Sequence, residues 1–360
     1  MSSEEEPSFA EDAPLAAKEA PLAHRRRPRY GGKNPRRFAD KYKEHRGDPE
    51  TTAKVEARGK TLAGTHRSIM LSEVLEILRP QPGETGVDCT LGYGGHARAL
   101  LERIVPVGCL LALDADPLQL PRTEARLRAL GYGPEVFRAR LSNFAGLGKA
   151  LAAEQLPGAD FILADLGLSS MQIDDPARGF TLREDGPLDM RLNPQRGLTA
   201  AQWLERVPAS KLAEVLRDNA DEPAADRLAA ALAGRIFACT LALAEAVRAV
   251  LPAGMARDDT TSAIRRVFQA VRIAVNEEFS ALEALLRALP QALQPGGRVA
   301  LLSFHSGEDR RVKKAFQSGY RNGHYASISA EVIRPTAEEC RANTRASPAK
   351  LRWAVRANRG

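Results

Sequence analysis

Two short apolar runs that each end in an aspartate, with a third that carries one, constrain this chain more than any other feature of its sequence. Val107 to Asp114 and Asp160 to Asp165 are apolar stretches closed by an acid, and Gly86 to Leu91 is a shorter run with Asp88 inside it. Stretches with helical spacing lie between them. Ile69, Met70, Val74, Leu75 and Leu78 recur at helical intervals and stop at Pro80, and further helices are expected over 96–104, 118–130 and 144–156. A short strand is expected at 135–138. Strands that alternate with helices pair in parallel, because the crossover helix returns the chain to the same edge. The expected class is therefore α/β, with the acids at the carboxyl ends of the strands, where ligands bind in open parallel sheets.

After Asp165 the alternation stops for about a hundred residues. Residues 171–198 read as a loop rich in Gly and Pro, and helical patterns then dominate. Thr199 with Gln202 fits a capping box, Pro223 sits where a first helical turn would start, and Leu228, Ala231, Leu232, Arg235 and Ile236 keep helical spacing. An all-α insertion over 171–269 is expected, interrupting a core over 61–170 and 270–360. The α/β pattern resumes with one long helix over 261–293, a Pro295-Gly296-Gly297 turn, a strand over 298–304, a helix over 308–316 and a last strand over 351–355.

Composition narrows the function classes. With 360 residues, 44% of them hydrophobic, the chain can bury a sizeable core and is long enough for two or three domains. A net charge of +7 favours a polyanionic partner, although an arginine-rich background would give the same surplus. Within residues 1–60 an acidic start (Glu4, Glu5, Glu6, Glu11, Asp12) precedes a basic stretch from Arg25 to Arg46 that holds ten Lys or Arg against two acids. Without an apolar period this segment reads as a disordered tail. The four cysteines form no C-x-x-C pair, so a disulfide framework or a thiolate zinc site is not expected. No run approaches the roughly 20 apolar residues of a membrane span, and no signal peptide is recognisable, so the cytoplasm is the expected location.

Four segments carry the chemistry. Asp88-Cys89-Thr90-Leu91-Gly92-Tyr93-Gly94-Gly95-His96 joins a strand to a helix, and its glycines let backbone approach a ligand beside the free N–H groups of a helix start. Asp114 ends the next strand, where an acid takes the ribose hydroxyls of an adenosine-type cofactor. Gly92-x-Gly94-x-x-Ala97 fits a dinucleotide fingerprint equally well, so the residues alone leave the cofactor open. Asp165-Leu166-Gly167-Leu168-Ser169-Ser170 places a second acid at a strand end, where it could act chemically or cap the next helix. Residues 178–191 mix acids, arginines and turn formers as a loop over a site does. Ser303-Phe304-His305-Ser306-Gly307-Glu308-Asp309-Arg310 offers His305 as a base or as a structural histidine, and no G-x-S-x-G elbow supports a hydrolase.

Together with Phe268-Gln269-Ala270-Val271-Arg272-Ile273-Ala274-Val275-Asn276-Glu277-Glu278, these segments resemble the RsmH/MraW family of bacterial 16S rRNA (cytosine-N4)-methyltransferases, from about His66 to the C-terminus. The resemblance implies a class I S-adenosylmethionine-dependent methyltransferase core, a Rossmann-like doubly wound sheet, with a helical insertion that recognises substrate. It implies S-adenosyl-L-methionine as cofactor, held by Gly94, Gly95, His96, Asp114, Phe144, Asp165 and Gln172. It implies methylation of the exocyclic N4 of a decoding-centre cytidine in 16S rRNA of the 30S subunit. The sequence departs from the family pattern at Met171, where Pro is usual, at Gly307, where Leu is usual, and over 218–224 and 343–348.

A sulfonium methyl is already activated, so no metal is expected. Cytosine N4 is a weak nucleophile because its lone pair is delocalised into the ring, and a carboxylate accepting an N4–H bond would strengthen it and guide the proton away. Asp165 is the candidate for that role. Arg178, Phe180, Arg183, Arg191 and His305 are candidates for holding a flipped nucleotide, with the insertion and the basic tail on RNA phosphates. Three rivals stand beside this reading: another RNA, DNA or protein acceptor; a non-catalytic RNA-binding assembly factor; and an NAD-dependent oxidoreductase. The sequence leaves the oligomeric state open, a homodimer included.

Overall fold

The computed structural model describes residues 68–358, and the expected tail over 1–60 lies outside them. Along the chain the elements are α1 (Leu71–Leu78), β1 (Thr85–Asp88), α2 (Gly95–Ile104), β2 (Cys109–Asp114), α3 (Leu120–Ala129), β3 (Phe137–Leu141), α4 (Leu147–Ala153), β4 (Ala159–Asp165) and α5 (Ser170–Asp174). Then come α6 (Ala200–Arg206), α7 (Ala209–Ala220), α8 (Ala225–Leu232), α9 (Thr240–Val250), α10 (Arg257–Val275) and α11 (Glu278–Ala292). The chain closes with β5 (Leu293–Ser303), α12 (Ser306–Arg321), β6 (Tyr325–Ile328), α13 (Ala337–Ala342) and β7 (Lys350–Arg356).

The seven strands form one sheet in the order β3-β2-β1-β4-β5-β7-β6. The first five are parallel to one another, while β7 runs antiparallel to β5 and β6 antiparallel to β7. This is a doubly wound α/β sheet, as the resemblance to class I methyltransferases leads one to expect. Its strand order reverses between β1 and β4, which opens a crevice beyond their carboxyl ends. Central strands covered on both faces must be apolar throughout, and Leu110 to Leu113 of β2 and Phe161 to Ala164 of β4 are all fully buried.

Each face has its own core. Leu100, Leu101, Ile104, Leu110, Phe137 and Phe161 pack under α1, α2 and α3. Val87, Leu111, Ile162, Leu285, Leu289 and Phe316 pack under α4, α11 and α12. Each fully buried Leu or Phe contributes roughly 1.5–3 kcal/mol relative to exposure. Gly86 pairs with Phe161 across β1 and β4, and the Phe161 ring occupies the place of a side chain there: a Cβ on Gly86 would lie 2.1 Å from Phe161 Cζ. Helices α6 to α10 gather around a third core containing Leu204, Leu216, Leu228, Leu243, Val267 and Phe268. Helix α10 runs through the 269/270 boundary expected between insertion and core.

Three local expectations are corrected. The single helix expected over 261–293 is two, broken at Asn276 and Glu277, where Glu277 takes φ +52° and starts α11 afresh. The Pro295-Gly296-Gly297 turn lies inside β5, with Gly296 at φ +74°, and the register shifts between Ala159 and Phe161 on the neighbouring strand. Residues 171–198, expected as a loop, hold most of α5 and a 3-10 turn at Pro176–Arg178, and β6 was not expected. Among the described residues no helix is long and apolar enough to cross a membrane.

Candidate active site

The carboxyl ends of β1, β2 and β4 bring Asp88, Asp114 and Asp165 to the crevice. Between β1 and α2 the chain turns through Gly92 (φ +48°) and Gly94 (φ +70°), left-handed conformations that cost most residues free energy and glycine little. Gly94 precedes α2, and no side chain caps that helix, which leaves its first N–H groups available beside the crevice. The turn is fastened to β2: Gly92 N–H donates to Asp114 Oδ2 (2.7 Å), and Asp116 N–H donates to Asp114 Oδ1 (2.8 Å). Burial pushes Asp114 up to about 6, although the hydrogen bonds from Asp116 and Gly92 hold it back.

Asp88 is 1% exposed. Its Oδ1 accepts from Thr90 N–H (3.0 Å), and its Oδ2 is buried with no hydrogen-bond partner among the described residues. Burial pushes its pKa up to about 7 against the pull of Thr90. Asp165 lies alongside. Its N–H donates to Thr90 Oγ1 (2.7 Å), and its Oδ1 is likewise buried without a partner among the described residues. Burial first, then the charges of Asp88 and Glu308, push Asp165 up to about 8.

His96 completes this cluster. Its Nε2 lies 3.0 Å from the Ile69 carbonyl, and burial lowers its pKa to about 4, so the ring is neutral. A carbonyl only accepts, so Nε2 carries the hydrogen and the Nδ1 lone pair faces Asp165 Oδ2 at 3.6 Å. One Asp165 oxygen thus faces the imidazole edge, while the other is left for a donor not supplied by the described residues.

Gln172 and Arg178 meet at a residue that sequence reasoning missed. Asp116 is 1% exposed, and its Oδ2 accepts from Gln172 Nε2 (2.8 Å) and Arg178 Nη1 (2.6 Å). The signal was present: an acid two residues beyond the strand-ending Asp114. Gln172 also closes a capping box with Ser169 at the start of α5. Arg178 Nη2 donates to the carbonyls of Arg191 (3.0 Å) and Leu192 (2.8 Å). Asn276 holds the same turn, accepting from Leu192 N–H and donating to the Met190 carbonyl, both at 2.7 Å.

The other candidates are more dispersed. Phe144 opens a single 3-10 turn after β3, capped by Asn143, and packs half-buried against the second core. Phe180 packs against the helical core, with the Arg178 guanidinium 5.9 Å from its ring centre. Arg191 forms a two-pronged pair with Asp189, both bonds 2.7 Å. Arg183 is 70% exposed and 3.8 Å from Asp174. His305, beyond β5, lies against Phe279 with Nε2 3.3 Å from Glu308 Oε1. Glu308 in turn accepts from Phe304 N–H at 2.8 Å.

A glycine turn, an uncapped helix start and three strand-end acids lie together at the crevice. The sequence profile of the MraW methylase family matches residues 63–357. The chain belongs to the MraW methylase family. Ribosomal RNA small subunit methyltransferase H 2 of Alkaliphilus metalliredigens is 46% identical over 339 residues, spanning 91% of this chain and 97% of the relative. Ribosomal RNA small subunit methyltransferase H 1 of Agathobacter rectalis is 45% identical over 338 residues, spanning 91% and 96%. Among solved structures, an S-adenosylmethionine-dependent O-methyltransferase from Thermotoga maritima overlays with a TM-score of 0.37 at 10% identity, covering 81% of this chain and 65% of that one.

As a member of the MraW methylase family the protein is a methyltransferase with S-adenosylmethionine as cofactor. The residues present fit that group. Its ribose hydroxyls and ammonium are donors, its sulfonium is cationic, and the crevice offers unpartnered carboxylate oxygens on Asp88 and Asp165 beside a turn that admits close approach.

Proposed function

We propose that this methyltransferase acts on the small-subunit ribosomal RNA, transferring the methyl group to the exocyclic N4 of a decoding-centre cytidine. The observation that carries the reading is the buried, unpartnered Oδ1 of Asp165, set at the end of β4 with its companion oxygen facing a neutral imidazole.

When bound, S-adenosylmethionine supplies an electrophilic methyl on a cationic sulfur. The chain's own residues then have three tasks. Asp114, the Gly92–Gly95 turn and Phe144 hold the nucleoside end, with Gly94, Gly95, His96 and Gln172 completing the cofactor contacts. Asp165 accepts an N4–H hydrogen bond from the extruded cytosine, which restores lone-pair density to N4, and it receives the proton released as the N–C bond forms. His96 stays a neutral ring beside Asp165 and brings no charge that would draw the proton or the carboxylate away from the amine. Holding N4 in line with the methyl is mainly positioning, which requires no charge beyond these groups. Arg183 and Phe180 are placed for the flipped nucleotide, while Arg178, Arg191 and His305 build the wall around it.

The test is methyl transfer from labelled S-adenosylmethionine to 30S subunits that lack this methylation, with nucleoside analysis of the product. N4-methylcytidine is the expected product. A different methylated nucleoside, or transfer only to another RNA, DNA or protein, would overturn the assignment. Cofactor binding without any transfer would return the protein to the class of assembly factors.

A further inference from the structure

On the sheet face that carries α4, α11 and α12, a groove of about 630 Å³ runs between α11 and α12 to the edge strands. It lies at the opposite end of the sheet from Asp88 and Asp165. Its wall includes Arg356, the last residue of β7, and the end of β7 pairs with the start of β5, Val355 opposite Arg298. Helix α11 lines it with Glu283, Leu286, Arg287 and Pro290, and α12 with Arg311, Lys314, Ala315 and Ser318, both at the three- and four-residue spacing of one helix face.

The lining is strongly cationic. Arg287, Arg311, Lys314 and Arg356 face it, against the single acid Glu283. Glu283 is 3.2 Å from Arg311, whose guanidinium also stacks on Phe279 at 3.6 Å. Arg356 donates to the Leu293 carbonyl. Arg287 and Lys314 are exposed, and no carboxylate pairs with either among the described residues. Like charges held close without a counter-ion repel, so such a cluster is favoured by an anion that binds between them. The floor, by contrast, is apolar, with Leu286, Pro290, Ala315 and the buried Tyr325.

Helix α12 links the groove to the site. It begins at Ser306, three residues beyond the end of β5, and its 16 residues span about 24 Å at ~1.5 Å per residue. Its exposed side carries Arg310, Lys313, Tyr320 and Arg321. Cations therefore continue from the catalytic end of the sheet to the groove at the other end, interleaved with an aromatic ring on which a base can stack.

The geometry points to a second RNA contact: the groove between α11 and α12 holds backbone phosphates of the substrate RNA remote from the target nucleotide, with sugar and base against its apolar floor. This rests on the RNA-substrate reading above. Arg287 and Lys314 make the phosphate contacts, and Arg310, Lys313 and Arg321 guide the strand along α12.

The experiment is a salt titration of binding to a labelled single-stranded small-subunit rRNA fragment, with wild type, R287Q/K314Q and R103Q. Arg103 is an exposed cation on α2, on the other face of the sheet, and controls for lost net charge. Each phosphate contact contributes roughly 0.7 to the slope of log affinity against log salt for a single strand, so R287Q/K314Q should flatten the slope by about 1.4. R103Q should leave it unchanged, and all three should bind S-adenosylmethionine equally. A double variant whose slope equals wild type overturns the assignment. So does loss of adenosine monophosphate binding with the RNA slope retained, which would give the groove to a free nucleotide. Wild type that fails to bind RNA at all would instead bring down the substrate reading itself.

Discussion

Replacing Asp88 with Asn should stabilise the protein above neutral pH and leave it unchanged in acid. Asp88 is 1% exposed, Asn is nearly isosteric with the protonated acid, and the Thr90 N–H bond to Oδ1 survives the change. In the native protein the carboxyl is raised from 3.8 to about 7, chiefly by burial. The sign follows from proton linkage. A folded pKa above the unfolded one means that the native state binds more protons between the two values. The stabilisation held in acid is therefore lost as pH rises from about 4 to about 7, and the loss is complete above that. At about 1.4 kcal/mol per unit, a rise of about three units amounts to roughly 4 kcal/mol. The carboxamide of D88N does not ionise and escapes this loss.

The assay is thermal unfolding of wild type and D88N from about pH 4 to about pH 9, read as the difference between the two proteins so that titrating groups remote from Asp88 cancel and Asp165, coupled to it, contributes in the same direction. The difference should be near zero in acid, grow through neutrality and level off above about pH 7. At ~2 °C per kcal/mol for a domain of this size, the plateau corresponds to about 8 °C in favour of D88N. A difference that is flat with pH, or that favours wild type in alkali, would refute the reasoning. It would mean that Asp88 is ionised at little cost and that its unpartnered oxygen is solvated in solution.

Asp165→Asn should lower single-turnover methyl transfer by roughly 10²-fold or more at saturating cofactor, and undiminished turnover would remove its catalytic role. In wild type the same step needs the ionised carboxylate, so its rate should rise with pH towards a plateau above the Asp165 value of about 8, and D165N should lack that rise. Arg178→Gln strips the charged partner from Asp116, which is 1% exposed, and should cost about 3–5 kcal/mol in urea unfolding; a cost under about 1 kcal/mol would show that the pair is solvated. Gly86→Ala forces the fully buried Phe161 out of its place and should cost about 3 kcal/mol or more, with normal unfolding midpoints counting against the packing described.

The sheet was legible because buried parallel strands must be continuously apolar, a pattern that survives in the sequence at 107–114 and 160–165. The strand-end acids were legible with it, since an ionisable residue at the edge of such a run has few structural uses. What escaped lies in short or long-range structure. Strand β6 has four residues and owes its existence to β7, which is about 25 positions further on. The break between α10 and α11 is made by Glu277 in a left-handed conformation, and nothing in Val275-Asn276-Glu277-Glu278 forbids a continuous helix; the break depends on Asn276 bonding to Met190 and Leu192, over 80 positions away. Asp116 was overlooked for the same reason, because its partners Gln172 and Arg178 are 56 and 62 positions distant.

Those long-range bonds explain why the 178–191 segment carries so many charges. Arg178 joins Asp116, beside the cofactor strand β2, to the carbonyls of Arg191 and Leu192, and Asn276 joins the same turn to the end of α10 in the helical block. A continuous set of hydrogen bonds thus runs from the β2 end of the crevice to the helices α6–α10. Each member is buried or half-buried, so removing one leaves its partners unsatisfied in a low-dielectric setting. Arg191 is engaged with Asp189 in the same way. Of the three arginines in the segment, Arg183 alone keeps most of its guanidinium in solvent. Charge removal at Arg178 and Arg191 should therefore be felt first as lost stability, and at Arg183 first as weakened grip on RNA. This contrast separates the arginines bound into the fold from the one proposed to hold the nucleotide.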